Sequence, residues 1–131
     1  MSTEQEFVAD VLADAEQPVV IFVLEWCEFC WSVRKLFKKL EIPYRAIELD
    51  SVEFQADTRG QKIRAVLAAQ TAMKTIPQIF IGGEFVGGCT DMFDSWKAGD
   101  IQKLLAKYGV SYAAEIEVDP YSFLPDWLHP R

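Results

Sequence analysis

Val19-Val20-Ile21-Phe22-Val23-Leu24-Glu25-Trp26-Cys27-Glu28-Phe29-Cys30-Trp31 joins a run of six apolar residues directly to a Cys-x-x-Cys spacing. Six consecutive apolar side chains, most of them β-branched, read as a buried parallel strand. Beyond the second cysteine, Val33, Leu36, Phe37 and Leu40 share one helical face, and Arg34, Lys35, Lys38 and Lys39 share the other. The two thiols therefore stand where a buried strand hands over to the first turn of a helix. That placement gives the spacing its chemistry.

A sulfur at a helix N-terminus faces unpaired backbone N–H groups and the positive end of the helix dipole, and both favour thiolate. A free cysteine has a pKa of about 8.5, whereas cysteines in such motifs fall to roughly 3.5–7.5. Cys27 is expected at the exposed start of the helix, as the nucleophile. Cys30 lies three residues on, over the next turn of the same face, and is the natural resolving thiol. The competing use of the spacing is half a zinc site, which needs two further ligands. Outside the motif the chain offers only Cys89 and a single histidine, His129. Redox chemistry is the better reading, with no metal held.

Working outward, 131 residues are enough for one domain with a real core. Half the residues are hydrophobic and a quarter are charged, as in a globular chain. No apolar stretch approaches the roughly 18 residues of a membrane span. Met1-Ser2-Thr3-Glu4-Gln5-Glu6 lacks the basic-then-apolar form of a signal peptide. Three cysteines, two of them in the motif, suit a reducing compartment, and the cytoplasm is the expectation. The net charge of −7 argues against nucleic-acid binding, which needs a basic face. The four cations at 34–39 read as the solvated side of a helix.

Taken in order, Phe7, Val8, Val11, Leu12 and Ala15 keep helical spacing, with Ser2 or Thr3 as N-cap. A strand over Val19–Leu24 and the helix to about Leu40 follow, and Ile42-Pro43 ends that helix. Tyr44 to Leu49 reads as a second strand, completing a βαβ unit with parallel pairing. Asp50 to Gln61 is polar and poorly defined; Lys62 to Gln70 reads as a helix that could begin earlier. Pro77–Ile81 and Glu84–Gly87 flank Gly82-Gly83, a hairpin signal. Two short helices, over Asp91–Lys97 and Asp100–Tyr108, close the domain at residue 109. The stretch 110–131 changes texture, with aromatics and prolines but no clear period; docking and mobility stand about even for it. Thr75-Ile76-Pro77 is a second signature, and on the residues alone its proline is an ordinary trans residue opening a strand.

Cys-x-x-Cys after the first strand, Thr75-Ile76-Pro77-Gln78-Ile79-Phe80-Ile81, the Gly-Gly hairpin and Gly87-Gly88-Cys89-Thr90-Asp91 together resemble the glutaredoxins in order and spacing, over about Pro18 to Gly109. The resemblance implies an α/β, thioredoxin-like three-layer α/β/α fold with a central mixed four-stranded sheet. It implies a cis bond before Pro77, and glutathione bound as an added strand on the Ile76 backbone. It places the γ-glutamyl end on the turn of Gly88, Cys89, Thr90 and Asp91, and the glycine carboxylate at Arg64. The activity implied is thiol–disulfide exchange on protein–glutathione mixed disulfides or protein disulfides, with glutathione as cosubstrate.

Three departures from the family pattern carry weight. Leu24 stands where many members have a lysine, Glu28-Phe29 replaces a common Pro-Tyr, and Glu25 and Glu28 bring negative charge to the nucleophile. Cys27 is therefore expected to be activated less than in lysine-bearing relatives, and glutathione affinity to be weak. Loss of the proline also opens a second expectation, a [2Fe–2S] cluster shared between two subunits through Cys27 and glutathione. A third is a thioredoxin-like donor reduced by a flavoenzyme. The partners expected are glutathione and disulfide-bearing proteins, with the chain a monomer unless a cluster bridges two copies. The tail, with Asp119-Pro120-Tyr121-Ser122 and Trp127-Leu128-His129-Pro130-Arg131, lies outside the usual domain. It is similar to the ends of glutaredoxin domains fused to pyridoxal-phosphate cysteine synthases, which implies docking to a sulfur-metabolism enzyme.

Overall fold

The computed structural model describes residues 2–125. Helix α1 (Thr3–Ala13) opens on a capping box: the Gln5 N–H donates to Ser2 Oγ at 3.1 Å and the Ser2 N–H to Gln5 Oε1 at 2.8 Å. Strand β1 (Val19–Val23) is buried throughout and leads into α2 (Glu28–Lys39). Strand β2 (Arg45–Glu48), α3 (Arg59–Thr71), the hairpin β3 (Gln78–Ile81) and β4 (Glu84–Gly87), then α4 (Cys89–Ala98) and α5 (Asp100–Lys107) follow.

The sheet runs β2-β1-β3-β4. β1 and β2 are parallel, with Ile21 opposite Ala46, while β3 lies antiparallel to both β1 and β4. Alternation along β1 sorts the core into two halves. Val19, Ile21 and Val23 pack with Leu36, Phe37, Met92 and Phe93 on the α2/α4 side. Val20 and Phe22 pack with Val8, Val11, Ile63 and Leu67 on the α1/α3 side. Because β1 is central and covered on both faces, all of its residues are apolar. The mixed four-stranded sheet between helical layers is the architecture the resemblance implied.

The departures are local. β1 stops at Val23, one residue short of the strand reading, while α3 starts at Arg59, within the earlier start that the helix reading allowed. The stretch read as undefined holds two 3-10 turns, Val52–Phe54 and Ala56–Thr58. Phe54 is buried there edge-on to Phe7 (5.7 Å between ring centres), and the Arg59 guanidinium lies 4.9 Å from the Phe7 ring centre.

Residues 110–125 lie across α2 and α4. The Ala113 N–H donates to the Leu40 carbonyl at 2.7 Å, Tyr112 meets Trp96 edge-on, and Tyr121 meets Phe93 and donates to Asp94. The segment ends in a 3-10 turn (Pro120–Phe123), after which Phe123, Leu124 and Pro125 line one cavity with Trp31 and Lys35 of α2. The expected docking role of Trp127 to Arg131 falls outside the described residues, as does His129.

Candidate active site

Cys27 is the N-cap of α2, with extended backbone, and its Sγ accepts the Cys30 N–H at 3.3 Å. The strand-to-helix handover thus delivers one sulfur to a free helix end, half-exposed. Cys30 is one turn deeper and fully buried. Burial, then its hydrogen bond to Cys27, holds the Cys30 thiol far above the ordinary range, with the Leu24 backbone and the Arg34 charge opposing. Arg34 is itself fixed by Glu48 at 3.1 Å and the Tyr44 hydroxyl at 3.3 Å. One thiol is open to attack a disulfide; the other waits beneath it with its proton. All three cysteines are free thiols.

Next to the motif lies a cavity of about 330 Å³. Phe29 forms one wall, Ile76 and Pro77 another, and Gly88, Cys89, Thr90 and Asp91 the third. The Ile76–Pro77 bond is cis, so the trans reading from the residues alone is corrected in favour of the one the resemblance implied. At the third wall, α4 begins at Cys89, and the Asp91 carboxylate accepts the Gly88 N–H at 2.9 Å. Free backbone N–H groups at a helix start suit a carboxylate. Burial pushes the Cys89 thiol up to about 12, and its proximity to Cys27 adds to the effect. Cys89 is therefore a wall of the cavity, and its thiol is protonated at neutral pH.

Six of the seven residues expected to bind glutathione thus line one cavity, and Arg64 does not. It stands on α3, where it lines a separate cavity together with Leu24, and its Nη2 donates to the Lys74 carbonyl at 3.3 Å.

Three residues that position the site escaped the sequence reading. Asp50 takes the Glu25 N–H on both carboxylate oxygens, at 2.8 and 3.1 Å, and so pins the loop before Cys27. Trp31 donates its indole N–H to the Glu25 carbonyl at 3.0 Å and meets Trp26 edge-on at 5.8 Å, while Trp26 itself is 79% exposed. Gln78, 1% exposed, donates to the carbonyls of Met73 (2.7 Å) and Thr75 (3.3 Å), tying down the loop that carries Ile76 and Pro77. Its one visible signal was an amide inside an otherwise apolar strand.

A [2Fe–2S] cluster takes four ligands. Among the described residues no three metal-ligating side chains converge, and Cys30 is sealed beneath Cys27. One chain offers a cluster a single accessible sulfur, Cys27, which is the one protein ligand that a cluster shared between two subunits through Cys27 and glutathione would take from each.

Residues 19–86 match the family model for glutaredoxin. The monothiol glutaredoxin-S10 of Oryza sativa subsp. japonica is 34% identical over 73% of this chain, and this chain spans 56% of its length. Chloroplastic glutaredoxin-C4 of the same plant is 36% identical over 72% of this chain and 68% of its own. In a crystal structure of a buckwheat glutaredoxin–glutathione complex, the protein superposes with a TM-score of 0.68 at 32% identity, covering 83% of this chain and 97% of that one.

Proposed function

Because the chain belongs to the glutaredoxin family, we propose that it is a thiol–disulfide oxidoreductase that uses glutathione as cosubstrate. The observation that carries this reading is Cys27 capping α2 beside a cavity walled by Ile76, Pro77 and the Gly88–Asp91 turn. An extended cysteinyl peptide laid along Ile76 presents its sulfur to Cys27, and the start of α4 receives the γ-glutamyl carboxylate.

The Cys27 thiolate attacks one sulfur of a mixed disulfide; a new S–S bond forms as the old one breaks, and the other sulfur leaves as thiolate, taking a proton from water. A second glutathione thiolate then attacks the Cys27-bound sulfur, giving glutathione disulfide and the free Cys27 thiolate. On a protein disulfide, Cys30 gives up its proton, attacks Cys27 and releases the substrate thiol. Two molecules of glutathione then restore the dithiol. No metal takes part in these steps. The reading places the protein in a reducing compartment, the cytoplasm.

Cys27→Ser is expected to abolish glutathione-dependent reduction of a mixed disulfide, while Cys30→Ser retains much of it; equal loss in both would reject the one-thiol route. Reduction by glutathione with its reductase, set against thioredoxin reductase, separates this reading from a flavoenzyme-fed donor.

A further inference from the structure

The loop between β1 and α2 is braced at both backbone groups of Glu25. The Asp50 carboxylate accepts its N–H at 2.8 and 3.1 Å, and the Trp31 indole donates to its carbonyl at 3.0 Å. So held, the loop carries Trp26 into water, 79% exposed, with Trp31 edge-on against it and itself 37% exposed. A slack loop would fold back and cover so large an apolar ring; this one keeps the ring outward. Adjoining apolar side chains fixed in the open mark an interaction site, and Trp is enriched among the residues that anchor one.

The place of this face beside Cys27 says what comes to it. Glu28, Trp31 and Lys35 form one stripe of α2 and line a cavity of about 360 Å³ together with Phe123, Leu124 and Pro125. Phe29, off that stripe, lines the cavity of Ile76 and Pro77. The two cavities share no residue, and Cys27 caps the helix that divides them. A mixed disulfide has two halves. With its glutathione half along Ile76, the residues next to the other cysteine come within reach of Trp26 and Glu28, the chain neighbours of the nucleophile.

Charge at this face is mainly negative. Glu25 and Glu28 are exposed, and Asp50 stands behind the loop. Against them is Lys35, one cation farther along the stripe, while Arg34 is engaged by Glu48. An open indole and nearby carboxylates attract the same kind of group, a cation.

We propose that the Trp26–Trp31 face docks the protein half of a mixed disulfide and selects segments with an arginine or lysine next to the reacting cysteine, the cation resting on Trp26 and its acidic neighbours. The inference rests on the oxidoreductase reading and names its substrate class. Trp26, Glu25 and Glu28 set the preference.

The test uses mixed disulfides of glutathione with one short peptide whose residue before the cysteine is arginine, citrulline, leucine or glutamate. Each is also reduced by glutathione alone, which gives the intrinsic effect of that residue on the leaving thiol. Relative to this uncatalysed ratio, kcat/KM for arginine over citrulline is expected to be at least about threefold higher in the native chain, with glutamate lowest. Trp26→Ala, and Glu25→Gln with Glu28→Gln, are each expected to remove most of the excess, and the ratio cancels any change in the nucleophile. A native ratio equal to the uncatalysed one would overturn the proposal, as would an excess that both variants keep. Leucine ahead of arginine would assign the face to apolar segments and overturn it too. Absence of Cys27-dependent turnover with all four disulfides would instead remove the oxidoreductase reading beneath it.

Discussion

Two of the three sulfurs in one small site, Cys30 and Cys89, are held as thiols chiefly by burial, and this makes stability depend on pH. Cys30 and Cys89 both titrate above the ordinary thiol value in the folded chain, chiefly through desolvation. The folded state therefore holds these protons more tightly than the unfolded one does. The stability this adds is fully present below the unfolded thiol pKa of about 8.5 and is lost as pH rises toward the folded values. Tyr108 and Tyr121, raised by hydrogen bonds to Glu84 and Asp94, act with the same sign at higher pH. The denaturant midpoint is expected to be flat between about pH 7 and 8 and to fall from about pH 9 to 11. Cys89→Ala should shallow the first part of that fall, as chemical denaturation at each pH would report. Gln78 gives a second prediction at this scale. Gln78→Leu strips the Met73 and Thr75 carbonyls of their donor in a buried place, at a cost of about 1–3 kcal/mol. Because that loop carries Ile76, KM for a glutathione mixed disulfide is expected to rise as well, measured beside the loss of stability.

At the scale of elements, the loop after β2 is held against α3 at one tight place. A Cβ on Gly60 would sit 1.9 Å from the Leu49 carbonyl oxygen, a backbone atom that cannot swing aside. Gly60→Ala must push the first turn of α3 away from the end of β2, and is expected to cost about 1–3 kcal/mol. Thermal unfolding measures that cost directly. What was legible in the residues follows from the same division between local and distant causes. The unbroken apolar run of β1, the 3.6-residue spacing of α2 and the Gly82-Gly83 turn are local patterns, and each lies where its pattern put it. The pairings of Asp50 with Glu25 and of Gln78 with the 73–75 carbonyls have no such pattern. One joins residues 25 apart; the other depends on how a loop folds back over its strand. Phe54 escaped for a related reason, since its burial is completed by Phe7 and Arg59 from other elements. Arg64 was placed at the ligand by the family pattern; it lines a separate cavity together with Leu24.

For the molecule as a whole, the segment 110–125 makes the α2/α4 face wider than that of a bare four-stranded domain. Tyr112, Ile116 and Tyr121 pack on the core that contains Leu36, Phe93 and Leu105. Ending the chain at Gly109 would bare that face. A loss of a few kcal/mol is expected from the apolar area exposed, lowering Tm by about 10 °C. Glutathione-dependent turnover below the melting range should survive, since Cys27 and the Ile76 groove lie outside the segment. Paired calorimetry and kinetics on the two chain lengths test both halves of this statement.

The two indoles at the mouth of the site have an optical consequence. Trp26, open to water, and Trp31, hydrogen-bonded to the Glu25 carbonyl, stand one residue before and four after Cys27, the sulfur to which the oxidoreductase reading assigns the exchange. Arrival of a ligand at Cys27 and its departure both alter the polarity and the quenching groups around these rings. Near-ultraviolet emission should therefore rise and fall with the cycle in the unlabelled protein, and Trp26→Phe should mute most of the signal.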